Sequence, residues 1–85
     1  MNNTLPKLLI TNAKGKRHEF DLVLASNSQR PNESQTHELE QVNRRLPTAI
    51  LEALSTRKLT IPPREIGLLL SRLKTASESD ISISE

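Results

Sequence analysis

The chain contains no cysteine, no tryptophan and no tyrosine, one phenylalanine, Phe20, and two glycines, Gly15 and Gly67. Without cysteine there is neither a disulfide framework nor a thiolate metal site, the two usual reinforcements of a small domain. Two isolated glycines make no glycine-rich phosphate loop and no nucleophile elbow. The histidines, His18 and His37, stand at ligand spacing neither from each other nor from a cysteine, which argues against a bound metal. No apolar run approaches the ~20 residues that span a bilayer, and the N-terminus lacks the apolar stretch of a secretory signal. A soluble, cytoplasmic protein is expected. With 85 residues, 34% of them hydrophobic, the chain makes one small domain with a thin core built from leucine and isoleucine. A deep cleft with convergent catalytic groups is out of reach, so neither enzyme activity nor a cofactor is expected. A partner or a second copy is the remaining source of buried surface.

Twelve Lys and Arg stand against ten Asp and Glu, a net charge of +2, beside an isoelectric point near 9.4. The two agree because nothing buffers the alkaline range: without Tyr or Cys, a small surplus of bases carries the pI toward lysine's pKa. The position of the charges is therefore more informative than the pI. Residues 1–30 hold five bases and two acids, residues 31–76 seven bases and five acids, and residues 77–85 three acids and no base.

The chain reads as α+β in four segments. Residues 1–24 carry a β-hairpin: Leu8, Leu9 and Ile10 form a short apolar run, Asn12-Ala13-Lys14-Gly15 suits a type I turn, and His18, Phe20, Leu22 and Leu24 alternate with Arg17, Glu19, Asp21 and Val23, which puts Phe20, Leu22 and Leu24 on one face. Residues 25–36 are turn formers without a large apolar side chain and read as a flexible linker. Residues 37–76 predict a helical hairpin. Thr36 would cap its first helix, along which Leu39, Val42, Leu46, Ile50 and Ala53 recur at helical spacing. Pro47 either kinks that helix or opens a second one at its first position, and the unbroken phase of the stripe favours near collinearity. Pro62-Pro63 forces an extended link before a last helix with Ile66, Leu69, Leu70 and Leu73 on its apolar face. Gly67 would allow close approach of the preceding helix. Leu51 and Leu68 lie off the main apolar faces and suggest a dimer or a docking contact. Residues 77–85, serine-rich and acidic, predict a disordered tail; Ile81 and Ile83 also suit a strand added to a partner's sheet edge, a pattern that resembles the short motifs that bind ubiquitin-like modifiers.

Two binding functions follow. For nucleic acid, Lys14, Lys16 and Arg17 at the hairpin turn, with Arg44, Arg45, Arg57 and Lys58 at the ends of the helical segment, would contact phosphates if the fold gathers them. The lone Phe20 offers no stacking platform for single strands, and the helix-turn-helix pattern at residues 50–70 is followed by no recognition helix, only by the acidic tail, which would repel phosphate; charges that simply solvate a small surface are the competing and favoured expectation. For protein, Ala53-Leu54, then Leu59 and Ile61 in an extended link, then Ile66-Gly67 and Leu69-Leu70 give two helices joined by an apolar strap. Over residues 42–75 this pattern resembles the C-terminal half of the flagellar anti-sigma factors, whose paired helices wrap around and block a sigma factor. The chain departs from that pattern at Arg57, where the family has glycine, at Pro62-Pro63, and in the N-terminal hairpin. The resemblance implies a transcription regulator with Leu54, Leu59, Ile61, Ile66, Leu69, Leu70 and Leu73 as its partner contacts. The same residues packing on one another, or on a second copy, is the competing expectation. A small regulatory protein that binds a protein or self-associates through its C-terminal helices is the first reading, and nucleic-acid binding the second.

Overall fold

The computed structural model describes residues 5–75 and 80–84. Over these described residues the fold is α+β, with three α-helices and small antiparallel sheets. In chain order the elements are β1 (Lys7–Thr11), β2 (Arg17–Asp21), β3 (Val23–Leu24), α1 (Glu33–Arg45), α2 (Thr48–Arg57), β4 (Leu59–Thr60), α3 (Pro63–Thr75) and β5 (Asp80–Ile83), with one 3-10 turn at Ala25–Asn27.

Asn12 and Gly15 set the first sheet. The Gly15 N–H donates to the Asn12 carbonyl at 2.9 Å, and the Asn12 side-chain oxygen accepts from the N–H groups of Lys14 and Lys16. Gly15 takes φ +83°, which suits glycine. The turn brings β1 and β2 together antiparallel, with Leu8 opposite Phe20 and Ile10 opposite His18. Because the Asn12 N–H reaches the Lys16 carbonyl at 2.9 Å, the alternation of an antiparallel ladder makes His18 and Phe20 the bonded partners on β2. The backbone groups of Arg17, Glu19 and Asp21 then face away from β1.

The other side of β1 is taken by β5, giving the order β2-β1-β5. Ser84 N–H donates to the Lys7 carbonyl at 2.9 Å, and Ser84 Oγ accepts from Lys7 N–H at 3.0 Å. The acidic C-terminal segment is thus not a disordered tail over residues 80–83, and the sheet it joins is the chain's own. Ile81 and Ile83 sit opposite Ile10 and Leu8 and pack half-buried on the core; removing that apolar pair from water is what holds the strand down. The rest of the expected tail, residues 77–79 and Glu85, lies outside the described residues.

Past β2 the chain changes sheets. Leu22 is buried at the pivot, and Val23 and Leu24 pair with Thr60 and Leu59 instead of continuing along β1. Leu24 is 38% exposed, so the apolar face expected for Phe20, Leu22 and Leu24 ends at Leu22. The linker is shorter than its composition suggests. Asn32, not Thr36, caps α1: its side chain accepts from Gln35 N–H at 2.7 Å while the Gln35 side chain accepts from Asn32 N–H at 2.9 Å, a reciprocal box that starts the helix at Glu33.

Pro47 separates two helices. Leu46 is extended, ψ 141°, as a residue before proline must be, and Pro47, ψ 148°, stands at the N-cap of α2, one place before its first helical residue. The stripe still faces inward, since Val42, Leu46, Ile50 and Leu54 are all buried. The expected helical hairpin is replaced by a different pairing: α2 packs against β4 and β5, and α3 packs against α1. The Gln35 amide donates to the Pro63 carbonyl at 3.4 Å and Glu38 lies against Gly67, so α1 and α3 run parallel from adjacent N-termini. The intervening α2 and β4 act as the crossover that a parallel arrangement requires. Lys58 takes the left-handed position that closes α2, φ 57°.

Candidate functional site

All seven residues expected as partner contacts, Leu54, Leu59, Ile61, Ile66, Leu69, Leu70 and Leu73, are buried in the core of the single chain. The competing expectation, that they pack on one another, describes where they lie: burying each such side chain contributes roughly 1.5–3 kcal/mol, so presenting them to a partner would mean opening the fold. Of the two spare leucines, Leu51 is half-buried against the core and Leu68 is 52% exposed.

The basic residues fare differently. Arg64, in the first turn of α3, reaches Asp21 at 3.4 Å, whereas Arg72, two turns later, is the cation that acts on His18 together with Lys16. α3 therefore runs antiparallel to β2, with its C-terminal end beside the turn that joins β1 to β2. The parallel packing of α1 on α3 carries the end of α1 to the same place, because each helix advances about 15 Å beyond the Gln35–Pro63 contact before it ends. One end of the molecule thus holds Lys14, Lys16 and Arg17 from the turn, Arg44 and Arg45 from α1, and Arg72 and Lys74 from α3. All seven are exposed. The described acids at this end are Asp80, opposite Thr11, and Glu40, which shares a shallow recess with His37, Gln41, Arg44 and Arg45.

Arg57 and Lys58 do not join them. The Lys58 carbonyl accepts from Ala25 N–H at 2.9 Å, which fixes the end of α2 beside β3, past the opposite end of β2; some seven residues of strand, roughly 20 Å, intervene. The sequence reading thus named five members of the basic end, included two residues from the far end, and omitted Arg72 and Lys74. The signal for the omitted pair was the shared ending of α1 and α3, each with two bases in its last turn, a placement also favoured by the helix dipole.

His18 bears on the electrostatics of this end. Partial burial on the inner face of the sheet pushes its pKa below the ordinary histidine value, and the positive charges of Arg72 and Lys16 push it further down. At the other end of β2, Asp21 accepts a hydrogen bond from Lys7 at 2.7 Å, and this bond, then the charges of Lys7 and Arg64, hold its carboxyl below the usual range. The same contact raises Lys7.

No cluster of three His, Cys, Asp or Glu side chains able to hold a metal occurs among the described residues, and no helix among them is long and apolar enough to cross a membrane. No family model matches the chain, and no curated protein and no solved structure matches it.

Proposed function

We propose that this chain is a non-enzymatic binding module whose ligand is the phosphate backbone of a nucleic acid duplex, held against the basic end. What supports it is the course of α1 and α3 relative to β2, which directs seven exposed bases from three elements, the turn and the ends of both helices, toward one end of the molecule. A duplex presents a charge every ~1.7 Å of its axis and rewards a spread of long, mobile cations. An acidic protein would be bound by an interface with an apolar centre, but of the exposed large apolar side chains among the described residues Leu24 lies past the opposite end of β2 and Leu68, one helical turn short of Arg72, stands alone. The absence of an aromatic platform favours backbone contact over stacking on single strands, so binding is broad in sequence.

The test is anisotropy of labelled duplex DNA and duplex RNA over a salt series. The logarithm of the affinity should fall linearly with the logarithm of salt, with a slope of magnitude about 0.9 for each phosphate contacted. Arg44→Ala with Arg45→Ala should reduce that magnitude by about 2, and Arg57→Ala with Lys58→Ala should leave it unchanged. Absence of salt-dependent binding to either duplex, or equal losses from both pairs, would overturn the reading, as would an acidic polypeptide competing better than a duplex of equal charge.

A further inference from the structure

We infer that the chain self-associates through the free edge of β2, two copies meeting antiparallel about a two-fold axis at Glu19 to form one continuous sheet in the order β5-β1-β2-β2-β1-β5. This does not rest on the nucleic-acid reading. The first observation is the ladder phase: Arg17, Glu19 and Asp21 turn their backbone N–H and C=O groups away from β1, and no strand among the described residues pairs with them. Such an edge is a template for another strand.

The second observation is charge order. β2 reads Arg17-His18-Glu19-Phe20-Asp21, which is antisymmetric in charge about its middle residue. In an antiparallel self-pairing centred on Glu19, Arg17 of each copy faces Asp21 of the other, on backbone positions that already point outward, so hydrogen-bonded register and charge register coincide. Opposite charges directly across a ladder stabilise it. The one unfavourable pair is Glu19 against itself. Short length and charged side chains ordinarily blunt an edge, and β2 has both, but here the charges at both ends meet their own inverted image with opposite sign.

The third observation comes from the helix layer. Arg64 lies at the Asp21 end of β2 and Arg72 at the His18 end, so Leu68, one helical turn from each, stands level with the middle of the strand and is 52% exposed. The two-fold that centres β2 on Glu19 therefore brings the Leu68 side chains of the two α3 helices toward each other beneath the joined sheet. The most exposed large apolar side chain of the described chain is covered by its own copy.

Sedimentation velocity across a wide concentration range tests this directly. A monomer–dimer equilibrium is expected. Glu19→Pro removes an outward N–H that β1 does not use, so it should weaken dimerisation by at least roughly tenfold while circular dichroism stays native-like. Leu68→Asp should weaken it to a similar degree by placing two carboxylates at the axis, and Glu19→Gln should tighten it by removing the like-charge pair. A wild-type chain that remains monomeric throughout overturns the inference. So does a dimer indifferent to both Leu68→Asp and Glu19→Gln, variants of exposed side chains that keep the test valid should Glu19→Pro fail to fold.

Discussion

The two ends of β2 are built to opposite electrostatic plans. At Asp21 the charges answer one another: one carboxylate takes Lys7 at 2.7 Å and Arg64 at 3.4 Å. At His18 no ion pair is made among the described residues, and the imidazole's pKa is pushed down by its partial burial and by the charges of Arg72 and Lys16. A reconciled cluster of exposed charges is a modest structural device. The Asp21 end is held by ion pairs of the chain itself.

The sharpest way to break this contrast is to damage the paired end. Leu22 is the buried pivot just beyond Asp21, and Leu22→Ala should destabilise the chain by roughly 2–5 kcal/mol, a large share of the ~5–15 kcal/mol typical of small domains. Chemical denaturation measures this, and a loss below about 1 kcal/mol would show that the two sheets do not depend on the pivot. Intermediate in size is Gly67→Ala, midway along α3. A β-carbon there would meet the Glu38 carboxylate at 3.6 Å, an ordinary contact, so the glycine is not demanded by close approach. Alanine should raise stability by up to about 1 kcal/mol, seen as a higher melting temperature, with both ends of β2 unaffected; a lower melting temperature would mean that the Glu38 contact tolerates no methyl group.

The smallest effect distinguishes the two ends by pH. His18 has a lowered folded pKa, so the unfolded state binds more protons and the stability it confers, present above the ordinary histidine value of 6.5, is lost as pH falls below it. Asp21 is lowered as well, but from 3.8, so its contribution persists through that window and disappears in stronger acid. Melting temperatures against pH should therefore show two separate declines. His18→Gln should remove the decline near pH 6 and leave the acid one, and Asp21→Asn should do the reverse. A single decline abolished by either change would mean that the ends are coupled.

Local features were legible before the fold was known. Asn12 and Gly15 announced a turn, alternation around Phe20 a strand, and Pro47 an interruption of the helix, though not whether it was a kink or a boundary, because each acts through its immediate neighbours. β5 was not legible as a fold element, since two isoleucines in an acidic serine-rich run give little periodic signal and their partners Leu8 and Ile10 lie about seventy residues away. The pairing of α1 with α3 was hidden for a related reason: a leucine stripe declares that it will be buried but not against what. The basic end could not be assembled from the sequence, because Lys14 and Arg44 meet only through the antiparallel course of α3 along β2. Arg57 and Lys58 were indistinguishable from its members until Lys58 was seen bonded to Ala25.

The central place of β1 has a consequence for synthesis. Its β2 side is satisfied by a strand that follows within ten residues, while its other side waits for β5, with Thr11 opposite Asp80 and Leu8 opposite Ile83. At translation rates of about 5–20 residues per second, the roughly 60 residues between β2 and β5 take about 3 to 12 seconds. Throughout that interval, a nascent chain carries a two-stranded ribbon with both edges open, one of which closes only when residues 80–83 emerge. Neighbouring ribosomes on one message would hold such ribbons close together, so the order of manufacture, as much as the finished surface, governs which strand first meets which.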